Sequence, residues 1–327
     1  TAAGTAGFLA AMPCLNAAEV FTDTKPLKVG LVGCGGRGLG AMKNALDADP
    51  GTMVWALADV FQERIDFGAK LLVEQYGNRA QLDRSRLFSG LDSYKRLLQT
   101  DIDVVLLCTP PAFRPEHLAA AIDASKHIYA EKPVAVDVPG VLSVLESARL
   151  AKLKNLVILD GFCWRYDKAN EEAHRKLSSG LLGRVLSFDG LYYTTPPKSP
   201  LALDSRPSSD TDVAWALRNW TAWNWLSGGQ FVEQIVHTID GMVWSMNEQL
   251  PLAAFGSGGR AQRRDDGDVW DHYDVYFEYD HNVTAHISCR QWVGCHGEIV
   301  DRTICEKGML VTPYRPYIQA NNRWRFR

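Results

Sequence analysis

The chain of 327 residues lacks a charge imbalance, since its 35 Lys and Arg residues nearly cancel its 38 Asp and Glu residues. Such a chain offers no basic stripe for a phosphate backbone, so we expect no nucleic-acid partner. No apolar run reaches the roughly 18 residues that a membrane-spanning helix needs, so we expect no span. Apolar residues make up 46% and charged residues 22% of the chain. These fractions are typical of a globular protein, and the length favours two domains.

The sequence also lacks any CxxC pair among its seven cysteines, which argues against a zinc ribbon or a thioredoxin-like site. Cys289, Cys295 and Cys305 lie near His286 and His296, but their spacing matches no zinc pattern. We therefore predict no metal site.

Residues 1–18 carry no charged side chain and consist largely of small or apolar residues. This stretch resembles the hydrophobic region of a secretory signal, with Ala17 and Ala18 suited to cleavage. Its weak hydrophobicity is similar to that of twin-arginine signals, although the arginine pair itself is absent. We expect residues 1–24 to be a leader of a longer precursor, exported to the periplasm; a simple N-terminal tail is the alternative.

Short apolar segments rich in β-branched residues recur in the first half of the chain. They span residues 27–33, 53–60, 103–109, 127–131 and 156–162. Helical patterns lie between them, for example at 113–125 and 138–153. Apolar strands that alternate with helices predict an α/β domain over residues 25–160, with a doubly wound parallel sheet of the Rossmann type.

The pattern changes after residue 160. It reads as a strand at 185–194, a loop at 194–212, a helix at 229–246, two strands within 272–290 and a hairpin at 298–312. We interpret the acidic segment 265–274 as a solvated loop. These features predict an α+β second domain over residues 161–327, with a large, mostly antiparallel open sheet.

Residues 33–38 read GCGGRG, a GxGxxG pattern between a predicted strand and a predicted helix. These glycines (Gly33, Gly35 and Gly38, with Gly36 beside them) permit a tight turn and a close approach of a pyrophosphate to the helix N-terminus. Asp59 ends the second strand, where a carboxylate meets ribose hydroxyls and repels a 2′-phosphate. The pattern predicts NAD as cofactor, while Arg37 and Arg64 leave NADP open.

Three further blocks complete a resemblance: Cys108–Pro111 (CTPP) followed by His117, Ala130–Pro133 (AEKP), and Gly228–Asp240 (GGQFVEQIVHTID). Together with the glycine motif they resemble the Gfo/Idh/MocA oxidoreductase family, over about residues 27–312. The resemblance implies NAD(P)-dependent chemistry on a carbohydrate and a homo-oligomer, dimer or tetramer. It implies that a C-terminal helical segment is missing from this chain. The cofactor-binding residues it implies beyond the glycine motif are Thr109, Pro110, Pro111, His117, Glu131 and Lys132.

Within the third block, Glu233, His237 and Asp240 would share one line of a continuous helix. A Glu–His pair suits proton removal, because the carboxylate can orient the imidazole and stabilise its charged form. Lys132, at the carboxyl end of a parallel strand, can stabilise a developing alkoxide. We predict His237 as acid/base and Lys132 as the group that polarises the oxygen, roles that the resemblance also implies. Glu233 stands where the family has aspartate, so it either contacts substrate or only orients His237.

The predicted substrate contacts are Trp164, Arg165 and Tyr166, which follow the sixth strand, together with Trp223 and Asp240. Trp223 belongs to a segment rich in tryptophan, residues 215–226, that resembles an exported bacterial subgroup of the family. Aromatic rings of this kind stack on sugar C–H faces.

Three functions stay open at this point. The first is an NAD(P)-dependent oxidoreductase that acts on a secondary hydroxyl of a sugar, polyol or glycoside. The second is a redox-neutral, NAD-dependent glycosidase or lyase with a tightly bound cofactor, which suits a location where free nicotinamide is scarce. The third is a nucleotide-binding sensor without turnover, against which the presence of both Lys132 and His237 argues.

Overall fold

The structure is a computed structural model that describes residues 25–197, 201–320 and 324–325. The predicted leader, residues 1–24, lies outside the described residues. Within the described part of the chain, no helix is long and apolar enough to cross a membrane.

The first domain consists of short strands connected by helices. Its strands are β1 (Leu27–Val32), β2 (Thr52–Asp59), β3 (Leu87–Ser89), β4 (Val104–Leu107), β5 (His127–Ala130) and β6 (Ile158–Asp160). Its helices are α1 (Gly36–Ala48), α2 (Gln62–Tyr76), α3 (Ser93–Leu98), α4 (Arg114–Asp123) and α5 (Val138–Leu153). All strands are parallel, in the order β3-β2-β1-β4-β5-β6. This order confirms the predicted doubly wound Rossmann sheet.

Alternating side chains of the central strands enter two separate cores, one on each face of the sheet. On one face Leu31 packs in a cluster with Met42 of α1, and on the other Leu107 packs with Leu118 and Ile122 of α4. Each of these side chains is at most 1% exposed. Burial of one such side chain contributes about 1.5–3 kcal/mol to the stability of the fold. The two cores therefore stabilise the sheet whose edge carries the glycine motif.

The second domain begins after β6 with a short 3₁₀ helix, Cys163–Tyr166, followed by helices and longer strands. Its helices are α6 (Lys168–Ser178), α7 (Asp212–Arg218), α8 (Asn224–Ser227), α9 (Gly229–Glu233) and α10 (Val236–Ser245). Its strands are β7 (Val185–Thr194), β8 (Ala253–Gly259), β9 (His272–Glu278), β10 (Thr284–Gln291), β11 (Glu298–Cys305), β12 (Gly308–Thr312), β13 (Tyr317–Gln319) and β14 (Trp324–Arg325).

The second sheet has the order β14-β13-β12-β11-β7-β10-β9-β8, with β7 and β10 parallel and the other described pairs antiparallel. This confirms the predicted mostly antiparallel sheet. One face is covered by α10, whose Met242 packs in a core with Phe188 and Ile287. The opposite face is open, since Phe255 is 62% and Tyr276 is 41% exposed.

Two expectations are corrected by the fold. The predicted helix over residues 229–246 is interrupted between α9 and α10, because the N–H of Ile235 bonds to Gln230 O at 3.2 Å, one residue beyond the α-helical partner. The acidic segment 265–274 is not simply a solvated loop. The side chain of Asp265 is 4% exposed and Asp271 is fully buried, where its carboxylate accepts backbone N–H groups of residues 261–263.

Candidate active site

The loop between β1 and α1 is shaped by two glycines. Gly33 has a φ of +98°, in the left-handed region that L side chains rarely adopt. A Cβ on Gly38 would lie 1.8 Å from the carbonyl oxygen of Gly33, so only glycine allows this close approach. A Cβ on Gly35 or Gly36 would meet nothing within 4 Å, and Gly35 caps α1 without a side-chain hydrogen bond. The helix N-terminus therefore presents free N–H groups to an open space, as a pyrophosphate requires.

Asp59 ties the end of β2 to the glycine loop. Its Oδ2 accepts the N–H of Cys34 at 2.7 Å and its Oδ1 accepts the N–H of Phe61 at 3.0 Å. Each carboxylate oxygen keeps a second lone pair, with which it can accept a ribose hydroxyl. The residue lies where the sequence placed it, at the wall of the cavity described next.

An open cavity extends along the glycine loop and the carboxyl ends of β1, β2 and β4. The predicted cofactor residues that line it are Gly33, Gly35, Gly36, Arg37, Gly38, Asp59, Arg64, Thr109, Pro110 and His117. Its position along the glycine loop and at the open helix terminus fits the pyrophosphate of a dinucleotide. Sequence reasoning missed Leu217 and Trp220, which close the cavity from the second domain, although the tryptophan-rich segment contained the signal.

Three predicted cofactor residues, Pro111, Glu131 and Lys132, are not part of this lining. Glu131 is 6% exposed, and its Oε1 accepts hydrogen bonds from Arg37 Nε at 2.5 Å and the Tyr129 hydroxyl at 2.7 Å. It therefore acts as a clamp between the glycine loop and the segment that carries Lys132. Pro111 is buried in a 3₁₀ turn before α4.

Arg114, which the sequence analysis did not identify, is 1% exposed and reinforces this clamp. Its guanidinium donates to the main-chain oxygens of Thr109, Glu131 and Pro133, the last at 3.0 Å. These bonds join the segments that follow the neighbouring strands β4 and β5. They fix the main chain on both sides of Lys132, which lies between two of the bonded residues.

His117 lies under the cavity and is neutral. Burial, with a smaller contribution from the Arg114 charge, lowers its pKa from 6.5 to about 3. Its Nδ1 lies 3.2 Å from Thr109 Oγ1, and its ring lies 4.1 Å from the ring of Tyr94. The side chain therefore supports the Thr109 end of the cavity wall.

Lys132 crosses from the first domain to the second. Its Nζ donates to the carboxylate of Glu233 at 3.0 Å and to the main-chain oxygen of the same residue. The two side chains are only 14% and 17% exposed, so the ion pair is shielded from solvent. The interruption of the helix after Glu233 explains this contact, because it rotates the carboxylate out of line with His237. The predicted Glu233–His237 pair is not formed.

His237, at the start of α10, lies among aromatic rings instead. Its ring centroid is 4.8 Å from that of Trp164 and 6.1 Å from that of Phe162. Its Nδ1 is buried and has no hydrogen-bond partner among the described residues. Burial, and then the charge of Lys132, lower its pKa from 6.5 to about 3. The imidazole is therefore neutral at physiological pH.

The other predicted substrate residues are placed differently from Trp164. Arg165 forms a two-pronged ion pair with Asp240, at 2.8 and 2.9 Å, and a further one with Glu248. Arg165 and Asp240 therefore hold α10 against the segment after β6 and are not available to a substrate in this arrangement. Tyr166 is 51% exposed. Trp223 lines a separate surface cavity with Trp215 and Trp225.

Among the described residues, no group of three or more His, Cys, Asp or Glu side chains is arranged to hold a metal ion. The arrangement instead joins an open dinucleotide cavity to a lysine, a carboxylate and a neutral histidine. Such a set can stabilise an alkoxide and accept a proton next to a bound redox cofactor.

These features define a two-domain protein with a dinucleotide-binding domain and a sheet-based second domain. Comparison with protein families identifies it further. Residues 27–158 match the family described as "Oxidoreductase family, NAD-binding Rossmann fold", and residues 170–311 match the "GFO/IDH/MocA C-terminal domain". The chain belongs to the GFO/IDH/MocA oxidoreductase family.

Among curated proteins, the chain is 28% identical to dTDP-3,4-didehydro-2,6-dideoxy-alpha-D-glucose 3-reductase of Actinomadura kijaniata, over 54% of this chain and 48% of the relative. It is 32% identical to a glycosyl hydrolase family 109 protein of Streptomyces coelicolor, over 53% of this chain and 35% of the relative. The chain spans about half the length of the first curated relatives it matches.

Among solved structures, the fold is similar to that of GenD2 from gentamicin A biosynthesis in complex with NAD. The TM-score is 0.68 at 21% identity, over 88% of this chain and 72% of that structure. A likeness at this identity supports the fold alone.

Proposed function

We propose that the protein is an NAD(P)-dependent oxidoreductase that interconverts a secondary hydroxyl and a carbonyl on a sugar, polyol or glycoside. The observation that carries the proposal is the placement of Lys132 and neutral His237 on the two domains that meet beside the dinucleotide cavity. When bound, the nicotinamide cofactor accepts or supplies the hydride. Curated relatives such as the 3-reductase carry names that fit this chemistry.

In the oxidative direction, the ammonium group of Lys132 donates a hydrogen bond to the substrate oxygen and stabilises its developing negative charge. His237 accepts the hydroxyl proton, for which its neutral state is required. Glu233 is the positioning residue, because its carboxylate holds Lys132 Nζ at 3.0 Å. Asp59 favours NAD over NADP by repelling a 2′-phosphate, while Arg64 faces the same cavity and can moderate that preference.

The test uses purified protein, limiting NAD and a panel of polyols, sugars and glycosides, with the near-ultraviolet absorbance of reduced nicotinamide as readout. Steady accumulation until NAD is exhausted is the expected result for a dehydrogenase. Lys132→Met and His237→Ala should abolish this signal while NAD binding, measured by calorimetry, persists. The exposed Lys95 and His296 provide matched controls, as Lys95→Met and His296→Ala.

A redox-neutral glycosidase is the second candidate, favoured by the likeness to a glycosyl hydrolase family 109 protein. In that reaction the substrate is oxidised transiently, loses its aglycone by elimination, adds water across the resulting double bond and is reduced again. The same assay separates the two functions. A small burst of reduced nicotinamide, limited to the enzyme concentration, with continuing release of sugar identifies the glycosidase.

We propose in addition that the protein is exported, on the basis of the uncharged stretch at residues 1–18. Fractionation of cells that express the full precursor gives the test. Recovery in the periplasmic fraction is expected, and recovery only with cytoplasmic markers would exclude export.

A further inference from the structure

The cofactor cavity has a wall that belongs to the second domain. Leu217 and Trp220 line the cavity together with residues of the first domain. Both belong to the segment 214–226, which runs from α7 through a 3₁₀ turn into α8. The proposed reaction uses none of these residues.

We propose that the segment 214–226 is a strap across the cofactor cavity, and that Leu217 and Trp220 are further cofactor-binding residues that slow the dissociation of the dinucleotide. Retention of the cofactor in this way is independent of the substrate that is oxidised.

The strap packs against both first-domain loops that border the cavity. Phe61 follows β2 and Phe113 follows β4, and both belong to one apolar cluster with Leu217 and Leu226 of the strap. Phe61 is 7% exposed and Leu226 is fully buried. Helix α8 also contacts the 3₁₀ turn at residues 111–113. Because β1 lies between β2 and β4 in the sheet, the strap spans the glycine loop that follows β1.

An ion pair fastens the strap to α2 outside the cavity. Arg218 Nη1 lies 2.5 Å from Glu63 Oε1, and the guanidinium carbon lies 3.9 Å from the centroid of the Phe61 ring. Arg218 Nε also donates to Oδ2 of Asp210 at 2.7 Å. Arg218 and Glu63 are not among the residues that line the cavity. A change at this pair therefore acts on the cofactor only through the strap.

Trp220 supplies an aromatic surface to the cavity. Its side chain is only partly buried, although it packs in the same cluster as the fully buried Leu226. Part of its surface lines the cavity. A bound dinucleotide that covers this ring removes apolar area from water, which favours the bound state and slows dissociation.

The second domain orders the strap before any cofactor binds. Asn219 is fully buried, and its Oδ1 accepts the N–H of Leu201 at 3.1 Å. The main-chain oxygen of Ala222 accepts the N–H of Asp268 at 3.0 Å. A segment ordered in this way loses little further conformational entropy when the cofactor binds, so it favours retention.

The experiment measures the dissociation rate of NADH by stopped-flow fluorescence. Protein loaded with NADH is mixed with excess NAD, and the change in nicotinamide fluorescence gives the rate. Trp220→Ala should speed release about tenfold, because the ring no longer covers the cofactor. Trp225→Ala is the matched control and should release NADH at the wild-type rate. Trp225 lies in the same segment but is 49% exposed and lines the separate surface cavity.

Arg218→Met tests the strap without altering the cavity wall. It removes the ion pair with Glu63, so we expect release about five- to tenfold faster than in the wild type. Arg175→Met, at an exposed ion pair on α6, is the matched control and should have the wild-type rate. If Arg218→Met does not fold, Glu63→Gln breaks the same ion pair from the first domain, with release about two- to fivefold faster.

Hydrogen exchange provides a second readout that a purely structural role would not change. NADH should slow amide exchange within residues 214–226 of the wild type, and should do so less in Arg218→Met. A purely structural role of Arg218 would lower the free energy of unfolding of the cofactor-free protein and leave the rate of NADH release unchanged.

Release at the wild-type rate in both Arg218→Met and Glu63→Gln would overturn the strap, even if Trp220→Ala releases NADH faster, because the cofactor would then leave without the strap opening. Absence of NADH binding by the wild type, or of protection of residues 214–226, would also overturn it. Failure of the proposed function gives a different result. If no sugar reduces NAD, the oxidoreductase activity is contradicted, while the release rates still decide whether the strap retains the cofactor.

Discussion

Replacing Glu233 by glutamine tests how Lys132 is held beside the substrate. The variant keeps the main-chain oxygen that accepts one hydrogen bond from Lys132 and removes the carboxylate at 3.0 Å. Lys132 then keeps its charge but loses the partner that orients it. We expect kcat to fall, because the ammonium group is free to adopt other rotamers.

The magnitude follows from the burial of the pair. Exposed ion pairs contribute below about 1 kcal/mol, and breaking fully buried ones costs about 3–5 kcal/mol. With side chains 14% and 17% exposed, Lys132 and Glu233 lie between these limits. A loss of about 1–3 kcal/mol in the transition state corresponds to a kcat about 5- to 150-fold lower.

The assay is steady-state oxidation with saturating NAD and the best substrate of the panel, accompanied by calorimetric NAD binding. Glu233→Asp keeps the charge and should retain more activity than Glu233→Gln. Glu74→Gln, at an exposed ion pair, is the matched control and should leave kcat unchanged. A wild-type kcat in Glu233→Gln would refute the positioning role.

Three further predictions concern the surroundings of the site. Gly38→Ala should weaken NAD binding about 10- to 100-fold by calorimetry, because its Cβ would collide with the Gly33 oxygen and impose about 1–3 kcal/mol of strain. Burial lowers the pKa values of His117 and His174 from 6.5 to about 3. Below the ordinary histidine pKa, the unfolded chain therefore binds more protons than the folded protein does. The free energy of unfolding, from urea titration, should therefore fall by about 2 kcal/mol per histidine between about pH 7.5 and pH 5. Arg114→Met should lower the free energy of unfolding by about 3 kcal/mol, since three main-chain acceptors lose a buried donor.

Each of these has a control. Gly40→Ala lies in the same helix, where a Cβ would only touch Arg37, so wild-type NAD binding is expected and an equal loss in both variants would contradict the steric argument. His174→Phe keeps the stacking on Trp244 and should remove its share of the acid sensitivity; an unchanged pH dependence would show that His174 does not titrate as described. An unchanged free energy of unfolding in Arg114→Met would mean that the hydrogen bonds of Arg114 contribute nothing to stability.

The alternating strands and helices were sufficient to predict the Rossmann sheet, since each strand carries apolar residues on both faces. The glycine motif and Asp59 lie together at the cavity wall, as predicted from the residue types and local spacing that a dinucleotide turn needs. Local signals of this kind depend on few neighbours. They locate the cofactor cavity and identify about half of the residues that line it.

The contacts between distant segments could not be predicted in the same way. The apolar pattern of residues 229–246 is continuous, so it gives no sign that the helix is interrupted and that Glu233 turns to Lys132. The ion pair of Arg165 with Asp240 joins residues 75 positions apart, and a list of polar residues cannot reveal that they satisfy each other. The acidic segment 265–274 resembles a solvated loop, because its sequence gives no sign that Asp271 is buried against the backbone N–H groups of residues 261–263.

The most direct test of the central claim is a single-turnover experiment with NAD-loaded wild type, Lys132→Met and His237→Ala. Absorbance of reduced nicotinamide is recorded after mixing with the best substrate of the panel. We predict reduction in the wild type and none in either variant on the same time scale, with NAD still bound. Reduction at the wild-type rate in both variants would show that hydride transfer does not depend on this pair.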